Sequence, residues 1–219
     1  VKVNNSKSHL KRSGLSFLIA ALGLVVSRPA LAYFSTIDTG DLIAPGEYQM
    51  SLEPQVFLSE QQGINVIGRF DTGLTDASSI RGVLGVGKVD FQLGAFYKNI
   101  PFPDTPHQPA IGGEAGVLVA RVQNKNEVSL RLHPLISKRF QSEVGDFTPY
   151  ASIPFGITFR EHDTIVPAQF VFGAEYRPLD MNKWSFFSEV GINLAKAFSY
   201  ISIAVAWRFD DGTVHPTRK

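Results

Sequence analysis

The 219-residue chain contains no cysteine. That excludes a disulfide scaffold, a thiolate-ligated zinc site and a lipid-modified cysteine behind an export signal. Long apolar runs are also scarce. The run from Leu15 to Val26 has 12 residues, short of the roughly 18 needed to cross a bilayer as a helix. Beyond residue 32, Gly, Pro or a charged side chain interrupts every apolar stretch earlier still, so an inner-membrane helical protein is excluded. Charged residues make up only 19% of the chain, and no Lys/Arg cluster stands in its body. That leaves no electrostatic footprint for nucleic acid, and this partner class is excluded. Gly-x-Ser-x-Gly, His-Glu-x-x-His and a phosphate-cradling glycine loop are missing as well, and neither cofactor nor metal is expected.

The first 32 residues form three zones: a basic stretch with Lys2, Lys7, Lys11 and Arg12, the apolar run, then Ser27-Arg28-Pro29-Ala30-Leu31-Ala32. This is the layout of a cleaved secretory signal peptide, with Ala30 and Ala32 as the small residues of the cleavage site and Tyr33 as the first mature residue. The remaining 187 residues carry 16 basic against 20 acidic side chains, a formal charge of −4, and are expected to form one domain.

From there almost to the end the chain alternates with period two in segments of about ten residues, which is a strand signal. Phe147, Pro149, Ala151, Ile153, Phe155, Ile157 and Phe159 fall on one face, and Thr148, Tyr150, Ser152, Pro154, Gly156, Thr158 and Arg160 on the other. The alternation predicts ten strands near 47–58, 63–72, 77–86, 88–99, 110–123, 126–139, 147–160, 165–177, 183–195 and 198–209. Turn residues separate them at Gln62-Gly63, Thr72-Gly73, Gly87, Asn124-Lys125-Asn126, Gly145-Asp146, His162-Asp163 and Asp180-Met181-Asn182. Each neighbour can pair as a hairpin, so the expected fold is all-β, an up-and-down antiparallel barrel of about ten strands, with eight as the alternative. Residues 33–46 are expected to form an N-terminal periplasmic lead, 47–209 the barrel and 210–219 a C-terminal tail.

Alternation alone fits a membrane barrel and a soluble one. The apolar faces carry aromatics near strand ends (Tyr48, Phe70, Tyr97, Phe147, Phe159, Tyr176, Trp184, Trp207), as membrane-interface girdles require. The opposite faces carry Arg69, Asp71, Glu114, Arg131, Arg160, Glu175, Arg177, Glu189 and Arg208, interspersed with Gly94, Gly112, Gly116, Gly156, Gly173 and Gly191. Charges of both signs beside glycines suit the crowded lumen of a narrow barrel better than the outside of a soluble one. These nine charges are therefore the expected lumen lining. A soluble periplasmic β-barrel binding protein is the rival fold.

In the last strand Ile201, Ile203, Val205, Trp207 and Phe209 share one face and Ser202, Ala204, Ala206 and Arg208 the other. This strand resembles the C-terminal signal strand of bacterial outer-membrane β-barrel proteins, whose closing aromatic is read by the assembly machinery; here residues 210–219 follow Phe209. The resemblance implies a transmembrane barrel in a Gram-negative outer membrane. Its partners would be outer-membrane lipid and the barrel-assembly machinery, and its default state a monomer.

Two roles fit a lumen of mixed charge: a filled, structural interior, or a narrow channel for small polar solutes or ions. A rim-located hydrolase or lipid-modifying enzyme is the alternative. His107, His133, His162 and His215 are the histidines available to it; His162-Asp163 reads more simply as a polar hairpin tip and His133 as a lumen hydrogen-bond partner, so no enzyme is expected. The proline-rich segment 100–109 reads as a stiff extended connector. If the last strand acts as an assembly signal, Trp207→Ala combined with Phe209→Ala should lower the amount of chain recovered in outer membranes; undiminished membrane levels would refute that role.

Overall fold

The computed structural model describes residues 35–58, 62–122, 124–161 and 163–210. The strands are β1 (Glu47–Phe57), β2 (Gly63–Thr75), β3 (Ser78–Gly87), β4 (Phe91–Phe102), β5 (Ala110–Val122), β6 (Lys125–Ser137), β7 (Phe140–Ser142), β8 (Gly145–Ser152), β9 (Phe155–Phe159), β10 (Thr164–Ile165), β11 (Ala168–Pro178), β12 (Trp184–Ala195) and β13 (Tyr200–Asp210). They form ten staves. The short β7 prolongs the β6 stave and pairs with β8, while β8 with β9 and β10 with β11 are single staves interrupted once. The interruptions fall at Pro154 and Pro167, residues with no N–H to give the ladder. Their carbonyls stay in use, accepting from Gln169 N at 2.9 Å and Gly156 N at 3.2 Å respectively.

Each stave pairs antiparallel with the next, and the sheet closes on itself where β1 meets β13, from Glu47 opposite Asp210 to Phe57 opposite Tyr200. Closure fixes two ends. One carries residue 47, residue 210 and the turns between β2 and β3, β4 and β5, β7 and β8, and β11 and β12; it is called here the terminal end. The other, the far end, carries the turns between β1 and β2, β3 and β4, β5 and β6, β9 and β10, and β12 and β13.

Polarity is inverted relative to a soluble protein. Alternate residues along the staves point outward and are overwhelmingly apolar, among them Leu52, Ile64, Leu84, Leu93, Val119, Leu130, Phe172, Ile192 and Ile203, all exposed. The inward set includes Glu53, Gln55, Asn65, Arg69, Arg81, Lys98, Glu114, Gln169 and Glu189, all buried. Only a barrel whose outer surface meets hydrocarbon is stable with that arrangement. At the terminal end the outward row is aromatic: Phe70, Tyr48, Phe209 and Trp207 stack in series at 4.9–5.8 Å between ring centroids, and Trp184 follows at 6.4 Å from Trp207. The row straddles the seam where first and last staves join. The protein is thus a ten-stave transmembrane β-barrel.

Three details depart from the sequence expectation. The hairpin expected at Thr72-Gly73 forms later, at residues 76–77, because β2 runs on to Thr75 through a register shift after Gly73; Gly73 instead meets Pro45 in a bridge, with the Ile43 and Ala44 carbonyls packed where a side chain would stand. The segment expected to be an extended connector is partly strand, to Phe102, and partly a closed turn with Thr105 and Gln108 bonded to each other. Lys138 Nζ staples that turn by donating to Asp104 Oδ1 at 2.7 Å and to the Thr105 carbonyl at 2.5 Å. The third is the course of residues 35–43, which enter the barrel and bond side chains of its wall.

Leu130 stands outward and half exposed near the middle of β6. Leu130→Arg is expected to cost about 2–4 kcal/mol of barrel stability, measured by urea unfolding in lipid vesicles. A cost near zero would refute the lipid-facing assignment.

Candidate functional site: a plugged lumen

The segment expected to be a periplasmic lead runs inside the barrel. From β1 the chain traces back through Ile43, which is buried, to Asp41 at the terminal rim and on to Ser35 at mid-depth, beside Glu53 and Arg69. The physical reason lies in its composition: Ser35-Thr36-Ile37-Asp38-Thr39-Gly40-Asp41 offers many short donors and acceptors, matching a lumen lined with long charged ones. Ser35 Oγ donates to Glu53 at 2.7–2.8 Å and accepts from Arg69 Nη2 at 2.7 Å. Gly40 N donates to Ser137 Oγ at 2.8 Å, and an alanine at 40 would collide with Ala110.

Arg81, on β3, is the centre of one network. Its guanidinium donates to Asp71 Oδ1 at 2.6 Å, to the Thr36 carbonyl at 3.0 Å and to Glu114 Oε1 at 3.3 Å, and stands 3.3 Å from Asp38 Oδ1. Lys98, on β4, donates to Asp38 Oδ1 at 2.8 Å and to the carbonyls of Thr39 and Asp41, each at 2.6 Å. His133 Nδ1 lies 3.3 Å from Glu114 Oε1. Arg81, Asp71, Glu114, Asp38, Lys98 and His133 are all buried, so each charge relies on the others for the solvation it has lost.

Glu189, on β12, organises the opposite wall. Its carboxylate accepts from Tyr150 Oη at 2.7 Å, Tyr200 Oη at 2.5 Å, Thr36 N at 3.0 Å and Ile37 N at 2.6 Å. The two rings reach it by lying over glycines: a side chain at Gly173 would occupy the Tyr150 ring, and one at Gly191 the Tyr200 ring. Ile37 itself has φ of 36°, a strained backbone for a β-branched residue, held by its bond to Glu189.

At the terminal rim Asp41 joins Arg139 and Arg177, and Arg177 Nη2 also reaches Glu175 Oε1 at 2.6 Å. Burial pushes the Asp41 carboxyl up, but the Arg139 and Arg177 guanidiniums outweigh it and hold the group below the ordinary carboxylate range. Towards the far end the lumen turns apolar. Phe57 and Phe198 pack at 4.9 Å between centroids, with Val89, Leu118, Val122 and Tyr200 beside them, all buried. Two interior cavities are small. One, about 20 Å³, is lined by Arg69, Arg81, Glu114 and Arg131; another, about 10 Å³, touches Asp71, Lys98 and Arg208. Each has room for about one water.

The nine charges expected in the lumen all point inward: Arg69, Asp71, Glu114, Arg131, Glu175 and Glu189 are buried, and Arg160, Arg177 and Arg208 half-buried near the ends. Arg177 and Glu175 pair within the set, and others of the nine take partners from outside it. Arg69 pairs with Glu53 at 2.6 Å, Arg160 with Glu127 at 2.8 Å, and Arg208 donates to Gln49 at 3.1 Å. Asp71 and Glu114 share Arg81, and Glu189 meets tyrosines and backbone amides. Sequence reasoning missed Glu53, Arg81, Lys98, Glu127, Asp38 and Asp41. The first four sit at inward positions of the same alternation; Val83, Phe96 and Ile100 blur the polar face around Arg81 and Lys98, whereas the faces that carry Glu53 and Glu127 are polar and held the signal, and the aspartates lie in a segment with no periodicity. Trp207 and Phe209 lie in the aromatic row. Ala30 and Ala32, with His162 and His215, lie outside the described residues.

No protein-family model matches the chain, and no curated protein matches its sequence. Among solved structures it is similar to an outer membrane channel from Pseudomonas putida (10% identity over 80% of this chain and 100% of the other, TM-score 0.45). It is also similar to the translocator domain of autotransporter NalP from Neisseria meningitidis (11% identity, 90% and 94% covered, TM-score 0.41) and to a bacterial polysaccharide outer membrane secretin (10%, 76% and 67%, TM-score 0.48). Likenesses this remote decide nothing about role, which rests on the geometry above.

In a double-mutant cycle Gly191→Ala is expected to cost about 1–3 kcal/mol with Tyr200 present and much less in a Tyr200→Ala background. Equal costs in both backgrounds would mean that the ring does not lie over the glycine.

Proposed function

We propose that this chain is an integral outer-membrane protein of a Gram-negative envelope and that its barrel stands closed, a structural element rather than a conducting pore. The observation that carries the reading is the segment 35–43 inside the lumen, bonded to side chains of β1, β2, β3, β4, β6, β11 and β12. A pore would have to displace it, breaking buried ion pairs that cost about 3–5 kcal/mol each when one partner is lost, and then pass the apolar cluster around Phe57 and Phe198. The terminal end, with its aromatic row and the start of the barrel, faces the periplasm in this reading. The barrel inserts through the barrel-assembly machinery and works as a monomer with lipid around it, and no catalytic step is assigned to it.

The test is electrical. Refolded into planar bilayers and recorded at two salt concentrations, the chain is expected to show no discrete current steps while remaining folded and resistant to carbonate extraction. Regular, salt-dependent steps would overturn the closed reading and make Arg69, Arg131 and Glu175 selectivity residues. Release by carbonate would overturn membrane integration itself.

A further inference from the structure

The lipid-facing belt is not uniformly convex. Over β5, β6, β8 and β11 it holds a depression of about 340 Å³, walled by Ile111, Ile136, Ile153 and Phe170 and floored by Pro134 and Ala151. Its shape follows from register. Gly113 stands opposite Pro134, and Ala151 opposite Ile136, so three neighbouring staves present no side chain, a flat ring and a single methyl among the larger Ile111, Ile136, Ile153 and Phe170. The polar floor is spent internally: the Pro134 carbonyl accepts from Ser152 Oγ at 2.7 Å and from Ile153 N at 3.4 Å, leaving hydrocarbon as the exposed lining. The interruption at Pro154 follows directly, so the backbone at this point takes its path from proline geometry rather than from a regular ladder.

We propose that this depression seats one acyl chain of a phospholipid. Its size matches the lower end of small-molecule sites. It is continuous with the outward surface through Val117, Leu132 and Phe172, all exposed and apolar, so the medium at its mouth is the same hydrocarbon that covers the belt. An unfilled hollow would leave its walls without contact partners, and a flexible chain fills one at little cost. The leaflet follows from depth: Ile111 and Ile136 lie within two residues of the terminal ends of β5 and β6, so the chain comes from the leaflet at that end, the phospholipid side of the envelope in the orientation above. The site rests on the outward face meeting lipid, not on whether the lumen conducts.

Native mass spectrometry of the chain, released in mild detergent from vesicles of phosphatidylethanolamine and phosphatidylglycerol, tests it. The expected spectrum shows one phospholipid retained per chain. Ala151→Phe and, independently, Ile136→Trp fill the hollow and should each reduce retention at least tenfold, while Ala95→Phe, outward on β4, should leave it unchanged. Folding is read separately from heat-dependent gel mobility, so loss of the barrel is distinguishable from loss of the lipid. No retained lipid on the folded wild type, equal retention in the filled variants, or a dimer that Ala151→Phe dissociates would each overturn the assignment.

Discussion

Backbone hydrogen bonding without water is the constraint on which the rest of this structure depends. In hydrocarbon an unpaired N–H or C=O has no alternative partner and costs several kcal/mol, so a sheet can cross a membrane only if no edge is left over. Pairing of β13 with β1 removes the two edges at once. Everything else is arranged around that ring of bonds. Where prolines interrupt a stave at 154 and 167, neighbouring amides still bond their carbonyls, and the breaks occur in adjacent staves, which confines the irregularity to one sector of the wall.

Closing the ring creates a second problem, an interior too narrow to hold bulk water and too wide to be filled by small side chains. The molecule solves it in two layers. Towards the far end Phe57, Phe198, Leu118 and their neighbours pack as an ordinary apolar core. Towards the terminal end the wall supplies charges, and the chain preceding β1 supplies the groups that satisfy them. Arg81 and Glu189 each bond both wall and inserted segment, and Lys98 gives its ammonium to the segment, so neither the lumen network nor the segment has a complete set of partners without the other. Glycines at 173 and 191 serve the same end by letting two tyrosine rings lie flat and deliver their hydroxyls to one carboxylate.

Much of the barrel was legible along the chain because period-two alternation is local. The stave from Phe147 to Arg160 sorts its residues by face without any knowledge of its neighbours, and charged residues on the polar side of such a stave can only point inward once the other side meets lipid. Arg131 and Glu175 were found in this way. Arg81 and Lys98 were not, since their staves also turn Val83 and Phe96 inward and the contrast between faces is lost. The turn at 102–109 was misread for a related reason: its proline content suggests extension, whereas the clamp from Lys138 comes from a different hairpin.

The sequence by itself determined the strand segments and the sorting of each into an apolar and a polar face, because both depend on residue type and a two-residue repeat written in the chain, while closure at ten staves came from the pairing of the first with the last. Only the tertiary structure decided what fills the lumen. The segment 35–43 has no periodicity and no apolar face, and its short polar side chains are equally at home in water. What draws it inward is a set of charges on six separate strands and a serine hydroxyl on a seventh, which converge on one axis only after the sheet has closed.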